Sequence, residues 1–183
     1  MRLIGEIMAY GNKTIAGSFL FVGGVLYIFG ANIGGKYGND MIVNLSVVLL
    51  GLLMIASTYF IQRAFKSTLF SILIAIAGVG TVGVGLFPWG SEIYYVLAGI
   101  GYVFFGLSAI MSYKFEKSPL SYLSILLGVL AFIALVLWAF GIDLGSGVKV
   151  TPLAVDNLIL PWLIGFGAHI IGDSSDKSVT SKP

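Results

Sequence analysis

The sequence predicts an all-α integral membrane protein, a bundle of six transmembrane helices with both termini in the cytoplasm, and three observations point there. Hydrophobic residues make up 58% of the 183 and charged residues only 10%, whereas soluble chains carry about 25% charged residues. Six stretches reach the ~20 mostly apolar residues that a helix, rising ~1.5 Å per residue, needs to cross a ~30 Å hydrocarbon core. Eight of the ten Lys and Arg fall on one side of those stretches. The mean hydropathy of +1.02 agrees with all three.

In chain order, the first span is expected at 14–33, between Lys13 and the turn residues Gly34-Gly35 and Gly38-Asn39-Asp40. The second is expected at 41–61, ahead of Arg63, and the third at 67–87, closed by Pro88-Trp89-Gly90. The fourth, 93–112, stands between Glu92 and Lys114, and the fifth, 119–140, opens after Lys117-Ser118. A Gly-rich connection from Gly141 to Pro152, with Gly145 and Gly147, leads to the sixth at 153–171. The first five spans hold no Asp, Glu, Lys or Arg, and the sixth holds only Asp156. The N-terminal segment lacks the order of basic, apolar and small-residue regions that marks a cleaved leader. Residues 172–183, rich in Ser, Asp and Lys, are expected to form a disordered cytoplasmic tail.

Lys and Arg in short loops are retained on the cytoplasmic side. Arg2, Lys13, Arg63, Lys66, Lys114, Lys117, Lys177 and Lys182 lie on one side, against Lys36 and Lys149 on the other, which predicts both termini inside. The outer loops carry Asp40, Glu92 and Asp143 instead.

Composition also excludes functions. With no Cys there is no disulfide, thiolate nucleophile or Cys-ligated metal, and His169 as the single histidine excludes a bis-histidine haem or a His-rich metal site within the chain. No metal and no cofactor are expected. A net charge of +2 spread over short loops gives no nucleic-acid surface. The expected partners are membrane lipids and, in a larger complex, membrane-protein subunits. The lack of Cys and the single glutamine, Gln62, fit the avoidance of labile side chains in thermophiles, an archaeal-like or thermophile-like trait.

Several motifs resemble those of DUF998, a family of small polytopic prokaryotic membrane proteins of unknown function. They are Asn44-Leu45 opening the second span with Gly51 further along it, Gly85-Leu86-Phe87-Pro88 ending a Gly-rich third span, and Pro161-Trp162 in the last. The resemblance covers about 15–171 and implies a six-helix topology without a reaction. Where that family often has a histidine after the Phe-Pro turn and a Glu-Arg pair opening the last helix, this chain has Tyr94-Tyr95 and Asp156-Asn157.

Three places could carry function. The glycines of the third span, Gly78, Gly80, Gly83 and Gly85, are read first as a surface for close helix packing inside the bundle, and second as a hinge or substrate path. Late in the fourth and sixth spans, Gly106-Leu107-Ser108 and Ala168-His169 look like the serine and histidine dyad of rhomboid intramembrane proteases. There the plainer reading is a small packing residue and an interfacial histidine, because a motif needs its base within about 3 Å and an oxyanion hole. The third place is polar and outer: Asn32, Asn39, Asp40 and Asn44, then Trp89, Glu92, Tyr94 and Tyr95, then Asp143, Asp156 and Asn157. Asp156, costly to expose to lipid, is expected either to cap its helix or to head a ligand site with Asn157, Asn44, Glu92 and Tyr95 as neighbours.

The expected function is therefore that of a non-catalytic polytopic membrane protein of the cell membrane, binding a lipid or apolar small molecule or serving as an accessory subunit. A small solute or lipid transporter is the alternative. Its two halves would be inverted repeats, with Ile15-Ala16-Gly17 and Gly24 matched to Leu97-Ala98-Gly99 and Gly106. A rhomboid-like hydrolase on Ser108 and His169 is the second alternative.

Overall fold

The computed structural model describes residues 2–141 and 152–180, with side chains described for 8–141 and 155–173, and its regular structure is entirely helical. The helices are α1 (Arg2–Tyr37), α2 (Asp40–Phe65), α3 (Thr68–Leu86), α4 (Glu92–Ser112), α5 (Leu120–Ala139) and α6 (Pro152–Thr180). Each contains a stretch long and apolar enough to cross a bilayer, so the chain forms a transmembrane helix bundle. Its outer surface bears large apolar side chains such as Phe29, Leu52, Val79, Leu126 and Val136. Such a continuous apolar surface suits lipid and would aggregate in water.

Helix backbones pack in chain order from α1 on α2 through to α5 on α6, and α1 on α6 closes the ring; α4 also approaches α6 across it. Small residues set the seams. A Cβ on Gly80 would stand 2.6 Å from the Gly101 nitrogen and 2.9 Å from the Leu97 carbonyl oxygen, so the α3 and α4 backbones touch there. Gly17 and Gly167 approach the same way where α1 meets α6, with a Gly17 Cβ falling 2.6 Å from the Gly167 oxygen. The expectation that α3 lies tightly surrounded holds on two flanks, through Gly78 and Gly85 against α2 and Gly80 and Gly83 against α4. Its third flank, with Leu69, Ile72 and Val79, is exposed, so α3 is a member of the ring and not its centre.

Two helices outrun their expected spans. The 36 residues of α1 amount to roughly 54 Å at ~1.5 Å per residue, well beyond a ~30 Å core. Hydropathy locates the membrane crossing, and the helix continues past it. At its far end α1 runs through Gly34-Gly35, read above as a turn, because Gly34 lies against Val43 of α2 and closes the hairpin tightly; the chain turns only at Gly38, at φ 61. Likewise α6 extends to Thr180, well into the segment expected to be a disordered tail.

The end of the bundle bearing the termini, here called the terminal end, is tied by ions. Asp173 of α6 accepts from Lys13 of α1 at 3.0 Å and from Lys117 of the α4–α5 connection at 3.1 Å. The Lys13 pair is mostly buried, whereas Lys117 is largely exposed and adds little. Beneath it, Phe65, Phe70, Phe115 and Phe166 pack ring on ring, with centroids 4.7 to 6.5 Å apart. The terminal end is thus filled, and free space lies toward the other, distal end.

The glycines matched between the two halves pack differently. Gly17 and Gly24 seat α1 on α6, but Gly99 faces open space and Gly106 meets Phe132 of α5.

Candidate functional site

A cavity of about 200 Å³ occupies the distal half of the ring, lined from α1, α2, α3, α4, α6 and the α3–α4 turn. Comparable apolar cavities of about 150 Å³ take up a benzene-sized molecule. Its wall is mostly Val47, Leu50, Val84, Ala98, Ile159 and Leu160 together with six aromatic side chains, Tyr27, Phe87, Trp89, Tyr94, Tyr102 and Phe105. Asn44, Phe87 and Trp89 are the exposed members of the lining and mark its mouth.

Among the described residues, the lining holds one carboxylate, Asp156. The helix carrying it begins at Pro152, so Asp156 stands past the first turn and does not cap. Its Oδ2 accepts a hydrogen bond from the Tyr27 hydroxyl at 3.1 Å, which joins α6 to α1, and the Tyr102 hydroxyl of α4 is a second neighbour of the same carboxylate. Among the described residues, neither Lys nor Arg lines the cavity. One turn onward, Pro161 has no N–H to donate to the Asn157 carbonyl, which opens the helix ladder beside the acid.

Of the residues expected around Asp156, Asn44 joins it in the cavity wall. Asn157 is exposed and outside the lining, as is Glu92, which sits in the first turn of α4 where an acid offsets the helix dipole. Tyr95 is also outside the lining, its ring lying edge-on to Tyr94 at 5.5 Å and tilted against Trp138 at 6.1 Å. Asn39 caps α2, accepting from the Met41 and Ile42 amides, and Asp40 follows it in the first turn. The Asn32 side chain donates to the Ile28 carbonyl of its own helix. Asp143 lies outside the described residues.

Ser108 and His169 do not form a dyad. Ser108 is fully buried and donates at 2.7 Å to the Phe104 carbonyl; no hydrogen bond joins it to His169 among the described residues.

A second polar centre escaped sequence reasoning. Glu116, just past α4, is buried at 9% exposure. Its Oε2 accepts from Ser124 Oγ of α5 at 2.5 Å, and its Oε1 lies 3.2 Å from Ser112 Oγ. Ser112 Oγ also accepts from Trp162 Nε1 of α6 at 3.0 Å, so α4, α5 and α6 meet at one hydroxyl and one carboxyl. Burial pushes the Glu116 carboxyl above its ordinary value, against the lowering effect of the hydrogen bonds from Ser124 and Ser112. The available signal was the spacing of Ser112, Glu116 and Ser124 on either side of one turn, with an indole in the last helix.

No protein-family model, curated protein or solved structure matches the chain.

Proposed function

We propose that the chain is a non-catalytic multi-pass protein of the cell membrane that binds a small, largely apolar molecule in the cavity around Asp156. The supporting observation is a space walled by apolar and aromatic side chains with one acid set in it, the usual make-up of a small-molecule site. Its partners are membrane lipids, and an accessory role beside other membrane subunits is the form this takes if the bound molecule is itself a lipid fragment. The DUF998-like motifs support the same six-helix layout. For the purified protein in detergent, a panel of small apolar and amphiphilic molecules is expected to include members that raise the melting temperature. Val84→Phe, which fills the cavity from α3, should remove that shift while keeping the fold. No stabilising molecule, or a shift undiminished in Val84→Phe, would reject the site.

A carrier is the second reading, favoured by one observation: the cavity has its mouth at the distal end, while the terminal end is shut by the Lys13–Asp173 pair and the phenylalanine cluster. Closure on one side only is what one state of an alternating-access protein has. Uptake of a stabilising molecule into proteoliposomes, absent from empty liposomes, separates carrier from binder.

The side-chain distribution supports termini on the cytoplasmic side, since Lys13, Arg63, Lys66, Lys114 and Lys117 stand at the terminal end against Lys36 at the other. In the naturally Cys-free chain, cysteines placed at Ser118 and Ser178 are expected to resist an impermeant thiol reagent in intact cells. Cysteines at Gly35 and Gly147 should react. External labelling at Ser178 would reverse the orientation.

A further inference from the structure

We propose that the occupant of this cavity is a small organic monocation, an ammonium or quaternary ammonium group on a short apolar body, recognised by Asp156 and the aromatic wall. This rests on the binding reading above and goes beyond it by assigning the charge.

The first reason is charge balance. Asp156 is the one carboxyl among the described residues of the lining, the hydroxyls of Tyr27 and Tyr102 are its neighbours, and no Lys or Arg among the described residues lines the space with it. A carboxylate in an apolar, low-dielectric setting is held well only when a positive charge stands beside it. Among the described residues of the lining none is positive, so a cation that enters would have the carboxylate to itself as a counter-charge. The second reason is the rest of the wall. Tyr94 lies tilted against Trp89 at 4.9 Å between centroids, and these two rings line the space together with Tyr27, Tyr102, Phe87 and Phe105. Aromatic cages of this kind attract a diffuse cation, most strongly when it is desolvated.

A bare metal ion fits less well. A hard cation wants six or more oxygen ligands, and beyond one carboxylate the cavity offers Asn44, tyrosine hydroxyls and Thr81, whose hydroxyl is bound to the Ala77 carbonyl. No group of three metal-ligating side chains occurs among the described residues. An anion would face an uncompensated acid. A neutral molecule would gain no charge–charge attraction from the carboxylate.

The test uses two probes of the same shape, choline and its neutral isostere 3,3-dimethylbutan-1-ol, titrated calorimetrically into the purified full-length protein in uncharged detergent. Choline is expected to bind at least about tenfold more tightly, a difference of ~1.4 kcal/mol. Asp156→Asn should reduce that preference to under about threefold without changing the affinity for the alcohol. Trp89 is exposed at the mouth, so Trp89→Leu should keep the fold even if the Asp156 variant does not, and it should cut the preference for choline over the alcohol severalfold. Equal binding of the two probes, or a choline preference that survives these variants, overturns the cation assignment and leaves the cavity reading standing. Failure of both probes together with the whole molecular panel overturns the cavity reading and this inference with it.

Discussion

Gly80→Leu is expected to prevent the bundle from forming, and even Gly80→Ala should lower its stability by about 3 kcal/mol, the upper end of what overpacking costs. A methyl group at this position would sit 2.6 Å from the Gly101 nitrogen and 2.7 Å from its Cα. Backbone atoms cannot turn aside, so α3 and α4 would have to separate along their length. Thr81 and Val84 on one side of that seam and Ala98 and Tyr102 on the other line the cavity, so ligand stabilisation should fall with the fold. Gly83 gives the internal comparison. The atom nearest a Cβ there belongs to the Leu97 side chain, which can rotate away, and Gly83→Ala should cost only about 1 kcal/mol. Val136→Leu, on the exposed side of α5, should change little. Melting in detergent decides: with about 2–4 °C per kcal/mol for a chain of this size, Gly80→Ala melting alongside Val136→Leu would refute the backbone contact.

Glu116→Ala is expected to cost about 1–3 kcal/mol, because it strips buried Ser124 of its acceptor, and an unsatisfied buried polar group costs about that much. Proton counting says which form of Glu116 the site prefers. Ser112 has one proton and two candidate acceptors, the Ala109 carbonyl at 2.8 Å and Glu116 Oε1 at 3.2 Å, while its oxygen already accepts from Trp162. If the serine proton goes to the nearer carbonyl, the longer contact is completed by a proton on Glu116. The shift agrees in direction, burial holding the carboxyl above its ordinary 4.5. An acid that keeps its proton longer in the folded state contributes its full stability below the unfolded value, and loses it as pH rises through the folded one. The wild type should therefore melt lower as buffer goes from mildly acid to alkaline. Glu116→Gln, which imitates the protonated acid, should flatten that slope and match or exceed the wild type at neutral pH. A slope that persists in Glu116→Gln would assign the pH dependence to another group.

The architecture was legible from sequence because spanning helices are dictated by a simple requirement, unbroken apolar length, which all six meet. Helix ends were less so. Past the hydrocarbon, α1 and α6 continue as helix on local hydrogen bonding and on the Lys13–Asp173 pair, neither of which registers in hydropathy. Asp156 stood out because an acid in an apolar run is costly wherever it points, and Asn44 stood at matching depth on α2. Tyr27 and Tyr102 did not stand out, since a tyrosine within a span is as ordinary in a core as in a site; only the ring closure brings them to the acid. Glu116 was hidden for the opposite reason. Lying between Lys114 and Lys117 in a short turn, it read as a solvated charge, and it is the packing of α5 and α6 over that turn that buries it.

The ring is closed by its first and last helices, and this orders the birth of the protein. During synthesis α6 emerges after the other five, and it is the least apolar of the six, with a hydropathy of 1.4 against 1.8 to 2.6. It also brings an acid that lipid alone receives at about 2.5–3.5 kcal/mol near the helix centre. Its entry into the bilayer is accordingly helped by a reception already in place, the Tyr27 hydroxyl and the small-residue groove at Gly17 and Gly24 on α1. A nascent chain halted before this step is an open arc whose α1 groove lacks its α6 partner. The Asp156–Tyr27 hydrogen bond at the cavity therefore forms only once α6 has joined α1.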